Sequence, residues 1–367
     1  MQKRAFTLFF LLSFFFSIRF CGAGEPASFP SLVSCLEIPA SLDFCGERVP
    51  LDEQEVKERM EKEMLLSLWD RPQVILWLKR SSRYMPHIKK MLANAGLPDD
   101  LRYVALAESA LRPHAGSKKG AVGFWQFMKH TGRKYGLKID RRIDERRNVF
   151  SSTDAAVRYF KDLHELFGSW TLSAAAYNMG EGGLNAAVTE QGTRDYYQLY
   201  LPLETQRYIF RILSVKLIVS NPRLYGFLLS EKDYYPPLKF DRAQVRISKE
   251  TPLRIIAEAA QTRFKVIKDL NPEIRGYNLA EGTHNIMIPK GSSDRFTHRL
   301  KGLLADYAAS EKSHTYIVRQ GDNLTSIAER FDVPLAAIIL WNRLDPRRPI
   351  HPGDSLKIYK NKYNKRK

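Results

Sequence analysis

The chain has 367 residues, 44% of them hydrophobic, and a formal net charge of +18. This length suggests roughly two or three domains, and the apolar content excludes a mostly disordered chain. The charge favours polyanionic partners (nucleic acid, acidic lipid or an acidic cell-wall polymer) without choosing among them.

The first element is an apolar run from Ala5 to Ile18, preceded by Lys3 and Arg4 and followed by Gly22, Ala23 and Gly24. It is short for a membrane span and has the layout of an export signal over residues 1–24, with cleavage near Ala23 or Ala27. Cys21 offers a second fate as a lipid-carrying cysteine that would anchor the chain to a membrane, although Arg19 and Phe20 make "SIRFCG" a poor lipobox. Export leaves Cys35 and Cys45 as a pair in an oxidising compartment. A disulfide between them is expected, the alternative being two free buried thiols.

Residues 25–84 form an N-terminal extension, irregular and rich in Pro and Ser to about residue 50 and helical beyond it, with Val56, Met60 and Met64 on one stripe. "GLPDDLRY" predicts a helix start with Asp99 or Asp100 as its cap, and Pro113 predicts its end. "KKGAVGFWQFMKHTGRKYGL" reads as a Gly-bearing loop leading into a helix. "SSTDAAVRYFKDLHELFGSW" predicts a helix from about Thr153 to Phe167. "TLSAAAYNMGEGGLNAAV" predicts two short helices with a Gly break, and "ETQRYIFRILSVKLIVSNP" a long one stopped at Pro222. Few alternating runs occur between 51 and 225, so that region is expected to be one all-α domain.

The character changes after "YYPPLKF". "QVRIS" and "HNIMIP" read as strands around two helical stretches, and the pattern recurs from "HTYIVRQGD" to "DSLKIY". The copies align at a shift of 71: Leu253 with Leu324, Ile256-Ala257-Glu258 with Ile327-Ala328-Glu329, Ile267 with Ile338, Asn271 with Asn342 and Gly282 with Gly353. This is an internal repeat of a βααβ module, at 243–290 and 314–360. A polar helical linker, 291–313, joins the copies, and a basic tail, 361–367, ends the chain.

One residue stands out. Leu101, Val104, Ala105 and Leu111 are spaced to share a helix face with Glu108. Apolar neighbours and the nearby helix C-terminus would both raise the pKa of that carboxyl, making it a general acid. On the helix pattern alone, a buried glutamate bonded to another helix is the commoner outcome. Glu181, in a Gly-rich turn, and Glu204, in the first turn of its helix, are poorer donors: the first should be exposed, and the dipole should lower the second's pKa.

"ESALRPHAGSKKGAVGFWQFM", "AAYNMGEGG" and "LETQRYIF" occur in this order with helical spacers. This resembles the catalytic domain of the family 1 lytic transglycosylases, over roughly residues 85–225. The modules behind it resemble the arrangement of the membrane-bound murein transglycosylase D type. The final module resembles LysM, and the copy at 243–290 a degenerate LysM lacking Gly-Asp before its first helix. The fold class implied is mainly α: a lysozyme-like all-α catalytic domain followed by small βααβ modules.

The resemblance implies that Glu108 is the sole acid/base, cleaving between N-acetylmuramic acid and N-acetylglucosamine in peptidoglycan and closing a 1,6-anhydro end without water. The nucleophile belongs to the substrate, so a second carboxylate is not required. It implies substrate contacts from Ser117, near the acid; Gly123, letting backbone approach the sugar; Gln126; Met128, under a ring; Tyr177, on the carboxyl or a sugar; Asn178, on an N-acetyl group; and Tyr208, lining the cleft. Phe124 and Trp125 replace the usual Leu and Met. In the last module it implies glycan contacts from Gly321, Asp322, Leu324, Ile350 and Pro352. The partner is the peptidoglycan glycan strand, in the periplasm or cell envelope, with outer-membrane association as one form of anchoring; no nucleic acid, cofactor or metal is expected, since the His residues lack ligand spacing. Oligomeric state is not encoded legibly. A goose-type lysozyme-like hydrolase, with Asp140 or Asp144 of a solvated "KIDRRIDERR" loop positioning water, and a non-catalytic wall-binding protein are the competing readings.

Overall fold

The computed structural model describes residues 31–310, 313–342, 344–345 and 348–359. The expected export signal with Cys21 and the basic tail 361–367 lie outside the described residues. The chain divides into two compact units, one ending at Leu238 and one beginning at Lys239.

The first unit opens with a hairpin, β1 (Asp43–Phe44) and β2 (Glu47–Arg48), turned by Cys45 and Gly46 at positive φ. Helices α1 (Gln54–Trp69) and α2 (Arg71–Asn94) follow. Asp70 separates them: its carboxylate caps α2 at Gln73 N–H, and Pro72 sits where a helix needs no N–H. A 3₁₀ turn at Asp99–Leu101 leads into α3 (Arg102–Ser109). Then come α4 (Lys129–Lys134), α5 (Val149–Phe167), α6 (Trp170–Met179), α7 (Glu181–Gln191) and α8 (Leu203–Ser220). Asn148 and Ser169 cap α5 and α6, and α5 stops at Gly168 in the left-handed region. One core runs through the unit. Within it the short α3 is held between α2 and α8, α1 lies on α8, and α5 packs against α2 and α6.

Several expectations are corrected. Cys35 and Cys45 are free thiols, not a disulfide. Cys35 is buried in the core, while Cys45 holds the hairpin turn at φ +56° with its N–H bonded to Asp100 Oδ2 at 2.9 Å. Neither Asp99 nor Asp100 caps α3. Asp99 pairs with Arg102, and Asp100 accepts from Lys216 Nζ at 2.7 Å, tying the hairpin and α8 together. Helix α3 also ends four residues before Pro113. Ala110 and Leu111 both take positive φ, at +52° and +55°, and turn the chain away immediately after Ser109. The "KIDRRIDERR" segment is not wholly solvated: Asp144 is 2% exposed and bound two-pronged by Arg146, at 2.8 and 2.9 Å.

The second unit contains the repeat. Its first copy runs β3 (Phe240–Ile247), β4 (Thr251–Pro252), α9 (Leu253–Ala259), α10 (Phe264–Leu270), β5 (Asn278–Leu279) and β6 (Gly282–Pro289), with β3 antiparallel to β6 and β4 to β5. Helix α11 (Phe296–Ser310) follows. The segment expected to be a polar helical linker is helical and packs on the module: Phe296, Leu300 and Tyr307 are buried and Arg299 Nε reaches Ala259 O at 2.7 Å, fastening α11 to α9. The second copy runs β7 (Ser313–Ile317), α12 (Leu324–Arg330), α13 (Leu335–Asn342) and β8 (Ser355–Tyr359), with β7 antiparallel to β8.

The repeat is visible at single-residue level. Asn271 donates to Ile267 O and Met287 O and accepts Met287 N–H, all at 2.7–2.8 Å. Asn342 does the same with Ile338 O, Lys357 O and Lys357 N–H, at 2.7–2.9 Å. In each module one buried or half-buried asparagine amide thus sews the second helix to the last strand. The partner strands differ by one residue, Met287 against Lys357 being a shift of 70 rather than 71.

Candidate active site

Glu108 is the penultimate residue of α3, on the face turned to α8. Tyr208, 1% exposed, reaches across from α8 and donates from its hydroxyl to Glu108 Oε1 at 2.5 Å. Glu108 itself keeps partial exposure, and its Oε2 has no bonded partner among the described residues. Desolvation pushes its pKa up to about 7; the Tyr208 hydrogen bond and the charge of Arg211 pull the other way, and Glu204 adds to the rise. Burial, not the helix end, is the chief cause. The Tyr208 hydroxyl is in turn pushed far above the usual tyrosine range by burial and by the neighbouring carboxylate, so it is a donor at every pH of interest.

The strip Glu204, Tyr208 and Arg211 faces the site along α8, at helical spacing. Arg211 NH1 bonds Glu204 Oε1 at 3.0 Å, and that bond holds Glu204 below the ordinary carboxylate range. Glu204 is thus held low by Arg211, which makes it a poor proton donor. Glu181 is the first residue of α7; its own backbone N–H, then Tyr159 at 2.8 Å and Lys134 at 3.4 Å, keep it low. Sequence reasoning missed Arg211. Its signal was the spacing of three and seven residues from Tyr208 and Glu204.

The "GFWQFM" loop is held by its carbonyls. Ser109 Oγ, one residue after the acid, donates to Phe124 O at 2.7 Å. Tyr177 Oη donates to Trp125 O at 2.6 Å, and Arg146 NH1 donates to Phe127 O at 3.0 Å. Gln126, at φ +49°, turns its amide Nε2 onto Gly123 O at 2.8 Å and Ala115 O at 3.3 Å. Gly123 adopts φ +86°, and a Cβ there would lie 1.8 Å from Arg146 O. Phe124 O and Trp125 O, which no backbone N–H meets among the described residues, are thus each met by a side-chain hydroxyl.

Of the expected contacts, the structure brings Tyr208 to the acid directly; Gln126 and Asn178 are half-buried. Asn178 Oδ1 accepts from Thr205 Oγ1 at 2.9 Å, which leaves its amide N–H groups without a bonded partner among the described residues. Met128 is exposed. It borders a cavity of about 670 Å³ shared with Lys129, His130, Arg133 and Lys134. Three expectations change. Ser117 bonds its own loop, accepting Ala121 N–H at 3.1 Å, and is not on the acid. Gly123 is buried and makes room for the Arg146 carbonyl, not for a sugar. Tyr177 does not bond the acid; it holds the Trp125 carbonyl and stacks on Phe160, with ring centroids 4.8 Å apart.

In the C-terminal module Asp322 accepts from Tyr316 Oη at 2.6 Å, from Arg319 N–H at 2.8 Å and from Arg330 at 3.2 Å. It pins its own turn and has little left for a ligand. Gly321, at φ +85°, and Pro352 are exposed; Leu324 and Ile350 are half-buried against the module core. Among the described residues, no group of three or more His, Cys, Asp or Glu could hold a metal ion, and no helix is long and apolar enough to cross a membrane.

Comparison with known proteins converges on this geometry. The transglycosylase SLT domain model matches residues 85–200, the LysM domain model 316–358, and the LysM-like domain model of lytic transglycosylase MltD 242–305. The membrane-bound lytic murein transglycosylase D of Escherichia coli K12 is 31% identical over 364 aligned positions, covering 93% of this chain and 79% of that protein. The peptidoglycan transglycosylase gp16 of Escherichia phage T7 is 42% identical over 94 positions, 25% of this chain and 7% of that one. The 70 kDa soluble lytic transglycosylase of Escherichia coli matches 49% of this chain and 31% of its own at 18% identity, with a TM-score of 0.35, too low to add to the assignment. With a relative at this identity over 93% of the chain and the transglycosylase model spanning the helix that carries Glu108, the chain belongs to the family of the membrane-bound lytic murein transglycosylase D and is a peptidoglycan lytic transglycosylase.

Proposed function

We propose that Glu108 alone acts as both acid and base in cleavage of the β-1,4 bond between N-acetylmuramic acid and N-acetylglucosamine, with formation of a 1,6-anhydro end. In the first step the protonated carboxyl gives its proton to the glycosidic oxygen as the bond to the anomeric carbon breaks. In the second, the carboxylate takes the proton of the muramoyl C6 hydroxyl, whose oxygen closes on the anomeric carbon. The proton is returned and no water is consumed. The observation that carries this reading is the desolvated Glu108 carboxyl, with one oxygen fixed by Tyr208 and the other unbonded among the described residues.

The hydrolase alternative needs a second carboxylate to position water. Asp144 is occupied by Arg146 and Glu204 by Arg211, which counts against both in that role. Asp140 accepts from Arg142 N–H and Ile143 N–H in its own turn. Gln126 Oε1 and the Asn178 amide are the polar groups left to meet N-acetyl sugars, with Met128 beneath a ring. Ser117, Gly123 and Tyr177 shape the loop that carries Gln126 and Met128, while Asn178 stands on α6. We place the transglycosylase domain at 85–230, a degenerate LysM-like module at 243–290 and a glycan-binding LysM module at 314–360. The chain works at the peptidoglycan of the cell envelope after export by residues 1–24, either anchored through Cys21 or released by cleavage. Digestion of purified murein sacculi with wild type and Glu108→Gln tests the reading. Products one water lighter than hydrolysed muropeptides are expected from wild type and none from the variant; normal anhydro release by the variant sinks the assignment.

A further inference from the structure

The hydroxyl of Thr205 and the amide of Asn178 fix each other's orientation. Thr205 is the third residue of α8 and is 2% exposed. Its backbone is held on both sides: its N–H donates to Pro202 O at 2.8 Å, and its carbonyl accepts from Tyr196 Oη at 2.7 Å. A threonine hydroxyl in a helix commonly donates to the carbonyl four residues back. Here that carbonyl, Leu201 O, accepts from Gln206 Nε2 at 2.5 Å instead. Among the described residues, the hydrogen bond of Thr205 Oγ1 goes to Asn178 Oδ1, at 2.9 Å.

This bond decides which end of the amide faces which way. Were the amide turned over, its nitrogen would donate to Thr205 Oγ1, and the hydroxyl proton would be left in a buried site without an acceptor. That donor would bear its full desolvation cost. The amide oxygen therefore points at Thr205 and the nitrogen points away. The nitrogen has no bonded partner among the described residues, and the Asn178 side chain is half-buried, not sealed. The pair also stands beside the acid. Asn178 is the penultimate residue of α6 and follows Tyr177, whose hydroxyl feels the charge of Glu108. Thr205 lies three residues before Tyr208 on α8, so the two side chains share a helix face, and Tyr208 is bonded to Glu108. One turn of α8 thus fixes two groups, the carboxyl through Tyr208 and the amide through Thr205. An amide nitrogen can only donate, so its counterpart on a substrate is an oxygen acceptor.

We propose that Thr205 is a positioning residue for the cleavage reaction: its hydroxyl locks the Asn178 amide with the N–H donors toward the bound glycan, where they meet a carbonyl oxygen of an N-acetyl group. The choice of that group rests on the reading of N-acetylated murein glycan as substrate; the lock itself does not. Because the amide is oriented before the glycan arrives, binding does not have to freeze it.

A double-mutant cycle on the full chain tests this, with cut glycosidic bonds counted on soluble peptidoglycan strands. Thr205→Val keeps the shape of the side chain and deletes the donor. It should lower kcat/KM by about fivefold to tenfold, the effect of losing one neutral hydrogen bond. Thr205→Ser, which restores the hydroxyl, should recover most of that loss. In an Asn178→Ala background, Thr205→Val should cost less than about twofold, because no amide is left to hold. A purely structural role would lower thermal melting and kcat/KM alike in both backgrounds. An equal loss in both backgrounds, or no loss in the chain that keeps Asn178, therefore overturns the proposal. Asn178→Asp keeps the acceptor for Thr205 and replaces the outward donors by an acceptor, so it should lose at least as much activity as Asn178→Ala. Activity near wild type in that variant overturns the donor assignment. Counting cut bonds does not depend on whether the new end is anhydro or hydrolysed. A chain that proved hydrolytic would leave the lock standing, and loss of the coupling would leave the role of Glu108 standing.

Discussion

Tyr208 and Glu108 lie 100 residues apart in sequence and meet through one hydrogen bond of 2.5 Å between α8 and α3. The bond stabilises the carboxylate, yet burial outweighs it and the acid rests near neutrality. Removing the donor should therefore raise the pKa of Glu108 further. Tyr208→Phe is expected to move the basic limb of the kcat/KM profile, set by loss of the Glu108 proton near pH 7, to higher pH. A hydrogen bond to a charged group is worth about 1.5–3 kcal/mol, so the displacement should be on the order of one unit. A profile that stays put or moves down removes Tyr208 from the control of the acid.

The Glu204–Arg211 pair supplies a test of opposite signs. Glu204 faces Arg211, Arg207 and Lys119, while Glu108 faces Tyr208, Arg211 and Glu204 from α8 and Tyr177 from α6. Glu204→Gln deletes a negative charge and releases Arg211 from its partner, so the pKa of Glu108 falls and the basic limb moves down. Arg211→Gln deletes the attracting charge and leaves Glu204, so the limb moves up. Each shift should be roughly half a unit to one unit for charges about one helical turn away, and should shrink with salt. Equal shifts in the same direction from both variants would exclude an electrostatic origin.

Stability should report the same group. The folded pKa of Glu108, about 7, lies above its unfolded value of 4.5. The folded state therefore binds the extra proton between these values, and the stability associated with Glu108 is full below about pH 4.5 and is lost as pH rises through 7. Glu108→Gln keeps the acceptor for Tyr208 and has no charge to desolvate. Denaturant melts should give equal midpoints for the two chains near pH 4 and a more stable variant at pH 8, by on the order of 2 kcal/mol after allowance for the residue's partial exposure. Equal stability at both pH values would mean the carboxyl is solvated as in water.

Much of this was legible in the chain. The helices and the βααβ repeat follow from periodicity, caps and Pro or Gly stops. Glu108 was legible as an odd carboxylate on an apolar stripe, and its role only through the motifs around it. What stayed hidden depends on through-space partners. Gly123 looked like a place for sugar because a glycine permits close approach, but sequence does not say approach to what; the answer is the Arg146 carbonyl. Tyr177 and Ser117 have side chains suited to a ligand and spend them on Trp125 O and Ala121 N–H. Asp144 sat among four arginines in a stretch that reads as solvated, and only the fold turns Arg146 inward to bury the pair. The cysteine arithmetic failed because pairing needs geometry as well as an even count.

Gly123 gives the sharpest structural test of the loop. Its φ of +86° disfavours any L side chain, and the Cβ of alanine would stand 1.8 Å from Arg146 O, a backbone atom that cannot swing aside. Either the 115–127 loop or the turn at Arg146 must move. Both are coupled to the acid: Phe124 O is held by Ser109 Oγ, and Phe127 O by the same Arg146 that binds Asp144. Gly123→Ala should cost about 2–4 kcal/mol from backbone strain and the displaced contacts, and should lower kcat more than it raises KM, because a 1 Å shift of the loop misplaces the sugar against Glu108. Thermal melts and steady-state kinetics on soluble glycan strands check both parts. A variant with wild-type melting and turnover would mean that the close approach of Gly123 to Arg146 O is not what positions the loop.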